Sequence, residues 1–161
     1  MRTGNGSLLQ HVISFEVPAV RTVTMTEQMV YTRLGTGTGL GVYFRPNSAG
    51  IRNLATGRTP MQLSRLSALS LDLPIKSEIA RSGDTVSVTL PQLIEALRLL
   101  RECSCVSLER RWLTGYVRNA KGNVIPLCVT GRWNSMIFST GNRDANLWRW
   151  KGQYILRRTH A

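Results

Sequence analysis

Polar and apolar residues alternate with a period of two through much of this chain. Val12, Ser14 and Glu16 interleave with Ile13, Phe15 and Val17 in segment 8–17. Beyond Pro18, Thr22, Val23, Thr24, Met25 and Thr26 alternate strictly within segment 20–33. β-Branched residues at this spacing predict strands. Val42, Tyr43 and Phe44 predict a short strand ended by Pro46. Leu69, Leu71, Leu73 and Ile75 alternate with Ser70, Asp72 and Pro74, again a strand pattern. Residues 85–89, Thr-Val-Ser-Val-Thr, predict another.

The period then changes. Leu93, Ile94, Leu97 and Leu100 form an apolar stripe at helical spacing. Thr89 precedes it as a candidate N-cap, Gln92 lies three residues later, and Pro91 occupies the first turn, where its missing N–H costs nothing. The predicted helix covers about 90–102, with Glu95, Arg98, Arg101 and Glu102 largely off the stripe. The same capping logic at Thr59, Pro60, Met61 and Gln62 suggests a brief helical turn.

After the helix the pattern is that of an antiparallel meander, with strands at 106–118, 123–130, 133–139 and 147–157. The intervening turns fall at 119–122, 131–132 and 140–143, where Asn, Gly and Lys or Arg recur. Residues 1–7 form a loose polar end, 35–41 a Gly-rich connection and 46–60 a loop. The expected fold is mainly β: an antiparallel β-sandwich or barrel-like sheet of about eight to nine strands with one amphipathic helix. The 161 residues suffice for one domain with its own core, and no linker or repeat divides them.

Charge changes the picture. There are 21 basic and 9 acidic residues, a net charge of +12. Eighteen of the basic residues are Arg, whose planar fork suits phosphate oxygens. The excess calls for a polyanion or an anionic surface as partner. It is concentrated in 110–161, which holds ten basic residues, one acid and seven of the eleven aromatics. The candidate nucleic-acid-binding residues are therefore Arg110, Arg111, Arg118, Lys121, Arg132, Arg143, Arg149, Lys151, Arg157 and Arg158. On the last strand, Trp148, Trp150, Tyr154 and Leu156 share one face, and Arg149, Lys151, Gln153 and Arg157 the other. That phase puts the rings in the core and the charges outside, which favours phosphate contact over base stacking.

Other chemistries are poorly represented. The glycines at 35–41 lack the Lys-Ser/Thr ending of a phosphate loop and a following helix. Gly41, Val42, Tyr43 and Phe44 resemble a strand of ADP-ribosyltransferases, but no His-Tyr-Glu or Arg-Ser-Glu set assembles around them. Cys103 and Cys105 form half of a metal site whose other half is missing, since only Cys128, His11 and His160 remain. These cysteines read as buried or idle thiols. No nucleophile elbow or paired carboxylates point to catalysis, and no cofactor or metal is expected. An odd number of cysteines and no apolar leader favour a non-secreted, reducing compartment, cytoplasm or virion.

The leading expectation is a nucleic-acid-binding structural protein, a coat or genome-packaging protein that self-assembles, with RNA ahead of DNA as ligand. The alternatives are a regulatory binder of single-stranded nucleic acid and a matrix-like protein on anionic membrane. An enzyme with an unrecognised site is a further reading.

Overall fold

The computed structural model describes residues 6–21, 23–25, 51–53, 55–104, 106–109, 111–118, 124–131, 137–140 and 146–160. The fold is mainly β, with two helices among the described residues. In chain order the elements are β1 (Leu9–Val17), β2 (Val23–Met25), β3 (Ile51–Asn53), β4 (Thr59–Leu66), β5 (Ser70–Leu71), α1 (Asp72–Arg81), β6 (Ser87–Val88), α2 (Leu90–Leu100), β7 (Leu113–Arg118), β8 (Val124–Thr130), β9 (Ile137–Thr140), β10 (Trp148–Arg149) and β11 (Tyr154–Arg158). The expected strand at 42–44, the glycine run at 35–41 and most of segment 20–33 lie outside the described residues.

The main sheet has the order β1-β4-β11-β7-β8-β9, with β6 added beside β7. It is open rather than barrel-like. It is also mixed: β11 runs parallel to β7, with Tyr154 opposite Leu113, and β6 runs parallel to β7, with Ser87 opposite Tyr116. The purely antiparallel meander expected for the C-terminal third is thereby corrected. Strands β7, β8 and β9 do form one, but β11 returns to the sheet centre between β4 and β7. Two small ribbons, β5–β10 and β2–β3, stand apart from it.

Period two explains how the sheet takes a helix on each face. Met61, Leu63, Leu113, Val117, Leu127, Val129, Tyr154 and Leu156 pack with Leu93, Ile94 and Leu97 of α2. The opposite parity brings Leu66, Tyr116 and Ile155 against Ile75 and Ile79 of α1. Strand β11 is central, so Tyr154, Ile155 and Leu156 are all buried. Gly115 of β7 belongs to the α2 side, where a Cβ would lie 3.1 Å from Leu93 Cδ1. Glycine there lets helix and sheet approach closely.

Helix α2 follows the sequence closely. Thr89 Oγ1 accepts from Gln92 N at 3.3 Å, and Gln92 Oε1 accepts from Thr89 N at 3.0 Å. This reciprocal pair is a capping box. The helix is buried well beyond its apolar stripe: Gln92 donates to Thr59 Oγ1, and buried Glu95 pairs with Arg98 at 2.9 Å.

Two expected elements change type. Thr59–Leu66 is a strand, not a helical turn, because it pairs on both sides, with β1 and with β11. The alternation at 69–75 yields only the short β5 before α1 begins at Asp72. Pro74 sits in the first turn of α1, Asp72 lies at its positive N-terminal end, and Ile75 and Ile79 bury one turn apart. The Leu73 that completed the strand pattern is exposed.

Candidate nucleic-acid interface

The sequence placed one continuous strand at 147–157. The chain instead breaks at a turn where Gln153 N donates to Trp150 O at 3.2 Å. Gly152 has φ +88° there, a conformation that L side chains rarely adopt. β10 lies on one side of this turn, in the ribbon with β5, and β11 on the other, in the main sheet. Phase is therefore not carried across the segment. Trp148 and Trp150 are 58% and 64% exposed, whereas Arg149 between them is 6% exposed. The expected inner and outer assignments of these residues are reversed.

Arg149 is buried because its partner is already inside. Its Nε donates to Asp72 Oδ1 at 2.7 Å, and its Nη2 to Asp72 Oδ2 at 3.0 Å. Tyr116 OH donates to Oδ1 at 2.6 Å, and Leu147 N to Oδ2 at 3.0 Å. Each carboxylate oxygen thus takes two donors. The third arm, Arg149 Nη1, reaches Cys128 Sγ at 2.9 Å, and Thr114 Oγ1 lies 3.4 Å from the same sulfur. Burial works most strongly against the Arg149 charge, but the hydrogen bonds to Asp72 and the charge interactions with Cys128, Asp72 and Tyr116 together outweigh it and hold the group above the ordinary arginine value. Burial also pushes the Tyr116 phenol up, reinforced by the facing carboxylate. The carboxylate oxygens of Asp72 are filled, and Asp72, Tyr116, Cys128 and Arg149 are all buried. This node is a structural clamp between α1, β7, β8 and β10, and Arg149 is withdrawn from the binding set.

The other proposed cations separate into groups. Arg110, Lys121, Arg132 and Arg143 lie outside the described residues. The Arg157 side chain is 12% exposed and pairs with Asp84 at 3.2 Å. Arg158 is half-buried at the same end of β11, and burial together with the neighbouring Arg118 lowers its pKa from the ordinary arginine value. Arg118 reaches Ser87 Oγ at 3.5 Å and lines a shallow cleft of about 390 Å³ with Lys76, Asp84 and Thr85. Asp84 reduces the charge of that cleft.

Arg111 and Lys151 come together at the opposite end of β11. They line a cleft of about 510 Å³ with Gln10, Arg65, Leu66, Ser67 and Gly152. Its floor is fixed by backbone: Gly152 N donates to Leu66 O at 2.7 Å, and Leu66 N to Gln153 O at 2.8 Å. Arg111 lies over the Tyr154 ring, 5.9 Å from its centroid. Among the described residues, Arg65, Arg111 and Lys151 have no carboxylate within ion-pair distance. Three cations facing one cleft without a counter-charge require an external anion or solvent. Arg65 was missed by the sequence reading because β4 was not recognised as a strand. It shares the parity of Met61 and Leu63, and it pairs with Gln10 of β1 where the sheet ends.

No family model, curated protein or solved structure matches this chain. The site must therefore be argued from its own geometry. Among the described residues, no three His, Cys, Asp or Glu side chains gather as metal ligands, and no helix is long and apolar enough to cross a membrane. Cys103 is disulfide-bonded, which corrects its expected state as an idle thiol, and Cys128 is a buried free thiol.

Proposed function

We propose that this protein binds nucleic acid, holding the phosphate backbone in the cleft of Arg65, Arg111 and Lys151. The observation that carries this reading is the convergence of these three cations, from β4, the approach to β7 and the β10–β11 turn, with no ion-pair partner among the described residues. Arginine and lysine at such a site neutralise phosphates and release condensed counterions. Arg118, Lys76 and Arg158, at the far end of β11, extend the positive field. The packaging and matrix readings rest on overall charge and have no site of their own among the described residues.

The test is a salt titration of binding to a labelled oligonucleotide. Neutralising three phosphates gives a log–log slope of about −2 to −3. The triple change Arg65→Gln, Arg111→Gln and Lys151→Gln should flatten that slope and weaken binding while leaving the thermal midpoint within a few degrees, since none of the three has an ion-pair partner among the described residues to lose. A slope near zero for the unmodified protein would overturn the reading.

A further inference from the structure

Two indole rings stand within one residue of the cleft walls. Trp150 precedes the lining residue Lys151, and Trp112 follows the lining residue Arg111. Consecutive Cα atoms lie about 3.8 Å apart, so Trp150 starts beside a lining residue of the cleft, whereas Trp112 has the parity of Tyr116 and belongs to the sheet face opposite Arg111 and Tyr154. Both are exposed: Trp150 at 64% and Trp112 at 37%. Trp148 adds a third exposed ring, two residues from Trp150 on the ribbon with β5.

The backbone beneath these rings is held firmly. Trp112 O accepts from Tyr154 N at 2.8 Å, Trp150 O accepts from Gln153 N, and the Arg149–Asp72 ion pair anchors the residue between Trp148 and Trp150. Large apolar rings on fixed backbone beside unneutralised cations leave an uncommon surface. A tryptophan needed only for packing would be buried, and a surface needed only for duplex phosphates would have no use for rings.

We infer that the cleft selects single-stranded nucleic acid, with exposed Trp150 as a stacking platform for bases and Arg65, Arg111 and Lys151 on the adjoining phosphates. This inference rests on the proposed phosphate site and adds the class of strand. The bases of a duplex are stacked on each other and present no free face, whereas every unpaired base offers one to an indole. Charge decides the occupant: Trp150 adjoins Lys151, which shares the cleft with Arg65 and Arg111, and this suits a polyanion better than an apolar protein partner.

The experiment measures anisotropy of labelled dT12, rU12 and a 12-base-pair duplex with the intact chain, Trp150→Ala and the triple Gln variant. Intrinsic tryptophan emission is recorded in the same titrations, and mass by light scattering. The expected result is tighter binding of single strands than of duplex, with emission quenched by dT12 or rU12 and not by duplex. Trp150→Ala should lose about 5- to 150-fold in single-strand affinity, the span of one stacked base, with duplex affinity and melting unchanged. The two oligonucleotides show whether the ribose hydroxyl contributes. Equal affinity for strand and duplex, unaffected by Trp150→Ala but lost in the triple variant, would overturn the stacking inference and leave the phosphate site standing. No binding of any of the three at low salt would overturn both. A change in molecular mass with Trp150→Ala, without change in affinity, would assign the rings to contact between copies of this chain instead.

Discussion

Removing Arg149 should destabilise this protein rather than weaken its binding. In Arg149→Met the aliphatic stem is kept and three donated hydrogen bonds are lost, two to Asp72 and one to Cys128. Asp72, fully buried, would retain only Tyr116 OH and Leu147 N as donors. Removing one partner of a buried ion pair leaves an uncompensated charge and costs about 3–5 kcal/mol. The two remaining donors place Arg149→Met near the lower bound. Asp72→Asn should fall near the upper one, because it strands a buried guanidinium and replaces four acceptor sites with fewer. A chain of this length loses about 2–4 °C of melting temperature per kcal/mol. The two changes should therefore lower the midpoint by roughly 6–20 °C. With about 5–15 kcal/mol of total stability available, the weaker variant approaches the threshold of folding.

The assay is thermal and urea denaturation of both single variants and the double variant. The double should cost less than the sum of the singles, since each already destroys the same pair. It should not be neutral, because Tyr116 OH and Leu147 N bond to different oxygens of Asp72 and asparagine keeps only one of them, so a buried donor there faces an amide NH2. While folded, Arg149→Met should bind oligonucleotides with unchanged salt dependence. A melting temperature within about 2 °C of the unmodified protein for both single changes would refute the buried clamp. Normal melting with lost binding would return Arg149 to the surface.

Gly115→Ala should cost about 1–3 kcal/mol as overpacking, because the new Cβ would press on Leu93 Cδ1 at 3.1 Å inside the core; urea midpoints would show it. Thr89→Ala removes the cap of α2 and should cost about 1 kcal/mol, with helical circular dichroism lost at a lower temperature. Burial alone would raise the pKa of Glu78, but hydrogen bonds from Ser7 OH and the Leu8 and Leu9 N–H groups, with Arg81 nearby, hold it below the ordinary value. A depressed folded-state value stabilises the protein above the ordinary carboxylate range, at about pH 4, and the contribution is lost as pH falls through the folded value. Glu78→Gln should therefore destabilise at pH 7, by a margin that shrinks on acidification below pH 4.

The elements legible in the sequence were those whose signals are local. Helix α2 was visible because Thr89, Pro91 and Gln92 form a cap ahead of four apolar residues at one spacing, and the structure contains that cap. Strand β8 was bounded by flanking turn residues and appears within a residue of its expected start. What was lost depended on contacts remote in sequence. Strand β4 is defined by pairing with β1 and β11 on either side, and β11 lies about 90 residues away, so no local pattern marks it. Helix α1 was hidden because Leu69, Leu71, Leu73 and Ile75 match a strand equally well; only Ile75 and Ile79 report the helical face.

The proposed binding site was hidden for a related reason, which concerns acids more than bases. Counting positive residues in 110–161 treated each as free. Asp72 and Asp84, both upstream of that segment, reach across the fold to Arg149 and Arg157. Each such pair turns a candidate phosphate ligand into a structural contact. It can also reverse the phase of its neighbours: with Arg149 drawn inward to Asp72, Trp148 and Trp150 turn outward. Aromatic residues flanking an Arg are read correctly only once the Arg's partner is known. With 9 acids against 21 bases, most cations still lack a partner in principle, but the informative ones are those that the fold gathers with no ion-pair partner among the described residues. Arg65, Arg111 and Lys151 meet that condition from three separate elements, 86 positions apart at the extremes. A nucleic-acid surface in a chain like this one is therefore found by assigning its carboxylates first.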